Sequence, residues 1–234
     1  MRIDEVRAQL HAMSNERYAR ALQGFFKTGP GEYGEGDIFL GIRVPEIRKL
    51  AARSGALGAD ELMELLTSPI HDERMLALVI MNGRFSKGDQ SARRSIYETY
   101  LGNTRHINNW DLVDLSAPHI VGAFLFDKNR RPLYSLAKSA SLWERRISIV
   151  STFRFIRAGQ FDDTLRLSKI LLRDREDLIH KAVGWMLREV GKRDLSIEEE
   201  FLREHYKLMP RTMLRYAIER IPEARRRRYL EGRI

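Results

Sequence analysis

Five helix-like segments recur along this chain at a nearly constant spacing, and this repeat constrains the fold more than any other feature. Apolar residues follow the i, i+3, i+4 pattern of an amphipathic helix in stretches such as RMLALVIM, RRISIVSTFRFI and KAVGWMLREV. The starting residues of the five segments are 36, 36, 35 and 34 positions apart, and they are Arg74, Trp110, Arg146, Lys181 and Arg215. A second helix-like stretch lies between successive starts, as in SARRSIYETYL and FDDTLRLSKILL. A helix pair every ~35 residues predicts an all-α α-solenoid of HEAT-like antiparallel helix pairs.

The repeat also sorts the charges onto one helix face. Four of the five starting residues are cationic, and the exception is Trp110. One turn further along the same face come Leu78, Asp114, Val150, Trp185 and Glu219. We expect this face to be a concave basic surface, on which cations contact phosphates and aromatic rings contact sugar or base. The alternative is that Arg and Lys simply flank each apolar stripe.

Composition narrows the class of protein. The net charge of +9 favours a polyanionic partner such as DNA or RNA. The chain has no cysteine, no apolar run of about 18 residues and no apolar signal core at its start, so we expect no disulfide, no membrane span and a cytoplasmic location. The length of 234 residues suits one large domain or two small ones, and we predict a single domain over residues 1–234 that is a monomer.

Several familiar sites are not supported by the pattern. GPGEYG at 29–34 matches G-x-G-x-x-G, but the preceding YARALQGFFK is helix-like and the loop carries acids, so we interpret it as a loop between helices. The six histidines are scattered, and His71-Asp72-Glu73 is interpreted as the polar start of a helix. No serine lies in G-x-S-x-G. We therefore expect no metal and no nucleotide cofactor.

The segment NNWDLVD, residues 108–114, holds the most informative carboxylates. On a helix Asp114 lies one turn after Trp110, whereas Asp111 points about 60° away and is placed near the helix start. A carboxylate on a cationic face would repel a phosphate, so Asp114 needs another purpose. That purpose is either catalysis or an ion pair with a cation such as Arg146.

Both ends of the chain fall outside the clear repeat. Residues 1–28 either cap the solenoid or contact DNA. The arginine run at 225–228 is interpreted as a solvated or disordered extension that adds non-specific affinity for a polyanion.

Four blocks, taken together, resemble the DNA alkylation repair family of AlkD-like, HEAT-like-repeat alkylpurine DNA glycosylases. They occur in the family's order over nearly the whole chain, and they are YGEGDIFLGIRVPEIRKLA (33–51), NNWDLVD (108–114), LWERRISIVSTF (142–153) and HKAVGWMLREVGK (180–192). The resemblance implies a metal-independent enzyme that excises N3- and N7-alkylated purines from duplex DNA by hydrolysing the N-glycosidic bond. It also implies that the lesion stays largely stacked, and no aromatic wedge or closed pocket is evident in the sequence.

The resemblance assigns the family's catalytic residues to Asp114, Trp110, Arg146 and Trp185. Further DNA-binding candidates are Arg74, Arg145, Lys181 and Arg215. A cationic alkylpurine leaves as a neutral base, so no general acid is needed and one carboxylate suffices to stabilise an oxocarbenium-like sugar and place a water.

Two other readings stay open. One is a non-catalytic scaffold of the same fold that binds DNA or RNA structure. The other is a solenoid that binds an acidic peptide in its groove. A protein that only binds nucleic acid or peptide gains nothing from the carboxylate of Asp114, and this favours the DNA glycosylase. Competition between duplex DNA and an acidic peptide separates the two binders.

Overall fold

The computed structural model describes the whole chain, Met1–Ile234, as two compact units, Met1–Ser116 and Ala117–Ile234. Both units are built from α-helices, and β structure is limited to an isolated bridge between Ile38 and Ile70. No helix combines the length and apolar character needed to cross a membrane. The predicted all-α fold is confirmed, whereas the single domain and the concave basic face stay predictions.

The first unit is organised around a long buried helix, α5. This helix has apolar residues on several faces, as a helix surrounded by others requires, and it packs against α3, α4, α6 and α7. The helices of this unit are α1 (Ile3–Ala12), α2 (Glu16–Phe25), α3 (Val44–Arg53), α4 (Ala59–Leu66), α5 (His71–Lys87), α6 (Gln90–Gly102) and α7 (Trp110–Ser116).

The second unit is organised in the same way around α12, which packs against α9, α11, α13 and α14. A π-helical turn, Pro118–Gly122, precedes its first helix. The helices of this unit are α8 (Arg131–Leu136), α9 (Leu142–Ser151), α10 (Phe153–Ile156), α11 (Asp162–Leu171), α12 (Asp177–Gly191), α13 (Leu195–His205), α14 (Arg211–Ala217) and α15 (Glu223–Leu230).

The helix alternation predicted from the repeat is confirmed. The five starting residues lie on α5, α7, α9, α12 and α14, and the intervening stretches form α6, α8, α11 and α13. The arginine run at 225–228, expected to be solvated or disordered, is largely exposed and lies within the ordered helix α15. Arg225 of that run forms an ion pair with Glu199 of α13, which ties the helix to the unit.

The segment 26–43, called here the α2–α3 loop, contains GPGEYG and connects two helices as predicted. Two of its acids bond to the loop's own backbone: Gly29 N donates to Glu32 Oε2 and Gly31 N donates to Glu35 Oε2, both at 2.9 Å. Gly34 allows a close crossing, because a Cβ there would lie 2.5 Å from the carbonyl oxygen of Phe26. The loop is therefore a folded structure in its own right.

Candidate active site

Helix α7 presents Trp110 and Asp114 on its partly exposed side, one turn apart as predicted. Leu112 and Val113 are fully buried and hold the opposite side of the helix against the unit. Asn109 fixes the helix start, since its Oδ1 accepts a hydrogen bond from Trp110 N at 2.9 Å and its carbonyl accepts one from Val113 N. The helix therefore offers one carboxylate and one indole ring to the same partly solvated surface.

Trp110 belongs to a cluster of rings, called here the aromatic platform, that consists of Phe25, Phe26 and Trp110. Its indole stacks on Phe26 with the ring centroids 5.1 Å apart and meets Phe25 edge-on at 6.0 Å. Phe26 is buried, but 63% of the surface of Phe25 is exposed. Phe25 is therefore an exposed aromatic ring beside Trp110.

Beneath the platform lies a buried ion network that consists of Asp37, His71, Arg74 and Asp111. His71 Nδ1 lies 3.0 Å from Asp37 Oδ2 and its Nε2 lies 2.9 Å from Asp111 Oδ2. Arg74 Nη2 donates to Asp37 Oδ1 at 2.5 Å. The network joins the α2–α3 loop, the start of α5 and the first turn of α7.

The ionisation of His71 follows from these contacts. Burial alone would lower its pKa, but the charge of Asp111 and the hydrogen bonds to Asp111 and Asp37 raise the pKa to about 9. Burial opposes ionisation of Asp37 as well, yet the bonds from His71 and Asn109 and the charge of Arg74 hold the pKa of Asp37 below its usual value. At neutral pH a protonated imidazole therefore donates to two carboxylates.

Arg74 does not have the surroundings that the predicted cationic face requires. The side chain is buried with 3% of the residue exposed, and two of its nitrogens bond to Asp37 Oδ1 and the carbonyl of Ser68. An arginine at the first position of the repeat is thus a partner for a buried acid. The prediction that Arg74 contacts DNA stays a prediction, and the structure shows that its Nη1 and Nη2 are already bonded within the unit.

In the second unit, Arg145 and Arg146 lie in the first half of α9, and their guanidinium groups have different partners. Arg146 is buried, and its Nη1 donates to the carbonyl of Leu178 at 2.5 Å. Arg145 Nε donates to Asp174 Oδ2 at 2.6 Å, and its Nη1 donates to the carbonyls of Ser139 and Ala140. Both guanidinium groups therefore form hydrogen bonds that stabilise the second unit.

Trp185 and Lys181 lie one turn apart on α12, and both are partly exposed. Trp185 Nε1 donates to Glu189 Oε1 at 3.2 Å, and the indole packs against Phe153 with the centroids 5.7 Å apart. Lys181 forms an ion pair with Asp177 at 2.7 Å. Arg215 on α14 is exposed. Among the predicted cations of this unit, Arg215 is the one most open to solvent.

A comparison with protein families decides the kind of protein. The model of the family described as "DNA alkylation repair enzyme" matches residues 6–221. The chain belongs to this family. No protein of curated function matches it.

Solved structures show the same fold as this member of the DNA alkylation repair family. One is described as "Predicted DNA alkylation repair enzyme from Enterococcus faecalis", with 16% identity, a TM-score of 0.69, and coverage of 90% of this chain and 98% of that chain. AlkD2 from Streptococcus mutans has 17% identity and a TM-score of 0.55, over 88% and 98% of the two chains. The protein smu.31 from Streptococcus mutans UA159 has 18% identity and a TM-score of 0.52, over 94% and 99%. These likenesses confirm the helical-repeat fold.

Three features of the site in this family member were missed by the sequence analysis. His71 was interpreted as the polar start of a helix, which it is, but its ring also bridges two acids. Asp37 was seen as a loop acid that excludes a pyrophosphate, and it is instead the centre of the buried ion network. Phe25 was taken as part of a helix with no role. The glycine-rich loop was the available signal, since such loops bring side chains close to neighbouring elements.

Proposed function

We propose that the protein is a DNA glycosylase that excises cationic N3- and N7-alkylated purines from duplex DNA. The observation that carries the proposal is the pair on α7: a single partly exposed carboxylate, Asp114, one turn from the ring of Trp110, on a helix whose start is fixed by buried ions. A pure DNA-binding surface gains nothing from a carboxylate, because it repels phosphate. A reaction that generates positive charge on a sugar does gain from it.

The chemistry needs one acid. In an alkylated purine the base carries the positive charge, so cleavage of the C1′–N bond sends the bonding electrons to the base and releases it neutral. The sugar becomes oxocarbenium-like, and the carboxylate of Asp114 stabilises it and orients a water. The water oxygen bonds to C1′, its proton passes by way of Asp114 to solvent, and an abasic sugar remains.

The other residues have supporting roles in this proposal. The ring faces of Trp110 and Trp185 contact sugar and backbone, since a π face attracts developing positive charge. Arg146 holds a phosphate beside the lesion by charge-assisted hydrogen bonds. Lys181, Arg145 and the exposed Arg215 are further DNA contacts. The base is not enclosed, and Phe25 lies beside it on the aromatic platform.

The test is release of free methylated purines from methylated duplex DNA without added metal. The parent protein is expected to release them, and Asp114→Asn is expected to bind DNA as well as the parent and release none. Asp60→Asn, an exposed carboxylate in the first turn of α4, is the matched control and should release base at the parental rate.

Each contrary result has a definite meaning. Full activity in Asp114→Asn overturns the assigned residue. No release by the parent while DNA binding persists favours the non-catalytic scaffold. Displacement of DNA by an acidic peptide at equal charge, with no release of base, favours the peptide-binding solenoid.

A further inference from the structure

A small polar pocket opens beside the segment that leads into α7. It has a volume of about 250 Å³ and lies between the α2–α3 loop, the turn before α5 and the residues just before Trp110. The residues that matter here are Glu35, Asp37, Ser68, Arg74, Arg105 and His106. Neither the aromatic platform nor Asp114 lines this pocket, so the chemistry proposed above does not use it.

One of the residues that line the pocket, Arg74, has a buried hydrogen-bond donor with no acceptor. Arg74 uses Nη1 and Nη2 on Ser68 and Asp37, but its Nε is buried and has no partner. A buried unpaired N–H of a charged group is costly, and such an atom calls for a ligand or an ordered water. Arg105 adds a second guanidinium at the rim; it is exposed, and its Nε donates to His106 Nε2 at 2.9 Å.

The acids that line the pocket are already bonded elsewhere. Asp37 accepts from Arg74 on one oxygen and from His71 and Asn109 on the other. Glu35 Oε2 accepts from the backbone of Gly31. A cation would therefore find these carboxylates occupied and two guanidinium groups opposing it, whereas an oxyanion would find free donors.

The charges facing His106 point the same way. Burial and the positive charges of Arg105 and Arg74 lower the pKa of His106, so the ring is neutral and accepts from Arg105 at neutral pH. Glu35 and Asp37 also line this space but do not offset those cations. An anion placed among the three groups would be attracted by the two guanidinium groups.

The side-chain amide of Asn108 can take two orientations that differ by 180°. The side-chain oxygen of Asn108 is buried in the same pocket without a donor. Rotating the amide by 180° exchanges its oxygen and nitrogen, and the nitrogen then faces the pocket as a further donor.

We propose that this pocket is an oxyanion site for a single phosphate group, held by Arg74 Nε, Arg105 and His106. Because Asn108 lies two residues before Trp110, on DNA the occupant is a backbone phosphate of the strand that lies against the aromatic platform. This second step rests on the proposed function, whereas the affinity for phosphate does not. The shared chemistry is a phosphate, either free or in a DNA backbone.

The first experiment uses inorganic phosphate and the whole protein. Nuclear magnetic resonance of the His106 ring is followed during phosphate addition at constant ionic strength, with chloride as the reference salt. We expect saturable shifts and a raised pKa of His106 on binding, because a nearby anion stabilises the protonated ring. Arg105→Gln should weaken binding about tenfold, the effect of losing one charge-assisted contact.

The control is Arg94→Gln, an exposed arginine on α6 outside the pocket, which should leave phosphate binding unchanged. Thermal unfolding of both variants shows that each is folded. A His106 response to phosphate no larger than its response to chloride would mean that the pocket holds water alone, and the proposal would be wrong.

The second experiment identifies the source of the phosphate. Undamaged duplexes carrying one uncharged methylphosphonate linkage at successive positions are bound to the Asp114→Asn protein, so that no base release is required. A methylphosphonate at one position should weaken DNA binding by the Asp114→Asn protein, and the same position should have no effect on the double variant that also carries Arg105→Gln. Arg105→Gln should also lower the slope of log affinity against log salt by about 1. If the protein binds inorganic phosphate but no methylphosphonate position weakens DNA binding, the assignment of the pocket to a DNA backbone phosphate is wrong. If the protein releases no base from methylated DNA, the proposed glycosylase function fails but the proposed phosphate site does not.

Discussion

His71 Nε2 lies 2.9 Å from Asp111 Oδ2, and this hydrogen bond ties the first residue of α5 to the first turn of α7. Asp111 immediately follows Trp110, so the bond also fixes the rotation of the helix that carries Asp114. The ring makes this bond while Phe39 stacks on its face with the centroids 4.4 Å apart. His71 is therefore a positioning residue for the candidate active site, although it does not reach the exposed surface.

Replacing His71 by Gln should destabilise the protein strongly. The substitution leaves Asp37 and Asp111 without their shared cation, and breaking a buried ion pair from one side costs roughly 3 kcal/mol. Denaturant unfolding measures the change in the free energy of unfolding. His11→Gln is the control, because His11 is half-exposed and its loss should cost about 0.5 kcal/mol or less. Equal stability of His71→Gln and the parent would show that the imidazole carries no charge.

The same residue predicts how stability depends on pH. The folded pKa of about 9 lies above the unfolded value of 6.5, so the contribution of His71 is fully present below pH 6.5 and is lost as the pH rises through 9. The parent should lose on the order of 3 kcal/mol of unfolding free energy across this window, and His71→Gln should lack that component. Urea unfolding at intervals from pH 6 to pH 10 measures both slopes. Parallel slopes would contradict the assignment.

The two phenylalanines of the aromatic platform should separate stability from function. Phe26→Ala removes a buried ring and should cost roughly 3 kcal/mol of unfolding free energy. Phe25→Ala should change stability by about 1 kcal/mol or less, because the ring is mostly exposed. It should nonetheless weaken binding of DNA about tenfold, since a ring stacked against a base contributes ~1–3 kcal/mol. Leu208→Ala, another exposed apolar residue, should leave DNA binding unchanged.

Glu198 in α13 should destabilise the second unit at neutral pH. Its carboxyl is buried against Gly191, its Oε1 has no partner, and burial with the nearby charge of Glu199 raises its pKa to about 8. A raised acid pKa means that stability falls as the pH rises from 4.5 to 8. Glu198→Gln should therefore stabilise the protein by roughly 4 kcal/mol at pH 8 and hardly at all at pH 4.

Calorimetric unfolding at pH 4 and pH 8 tests the prediction for Glu198. Glu200→Gln, an exposed acid on the same helix, should change the melting temperature little at either pH. A stabilisation that is the same at both values would mean that folding does not shift the pKa of Glu198, and the prediction would be wrong.

The helices were predictable because their information is local. The period of 34 to 36 residues placed the starting residues on α5, α7, α9, α12 and α14, and the helical repeat of 3.6 placed Trp110 and Asp114 on one side. The surroundings of those residues were not predictable in this way. Arg74 is buried because Asp37 meets it from 37 positions away, and a periodic pattern does not encode such a pairing.

The same limit explains Phe25 and the arginine run. Adjacent phenylalanines at 25 and 26 look alike in the sequence, but the stacking of Trp110 on Phe26 buries one ring and leaves the other exposed. Four consecutive arginines suggested a solvated or disordered extension; the run is mostly exposed, yet Glu199 on another helix supplies a partner for Arg225 and α15 is ordered. In each case a contact distant in the sequence decided the outcome.

The self-bonded α2–α3 loop has a consequence for the energetics of association. Because Glu32 and Glu35 satisfy the loop's own backbone and Gly34 lets it close over Phe26, the segment loses its conformational entropy during folding and not during binding. The surface around Trp110 is thus shaped before a ligand arrives. Encounter with DNA should then be rigid-body docking, with a heat-capacity change set by the area buried at the interface and none from ordering of the loop.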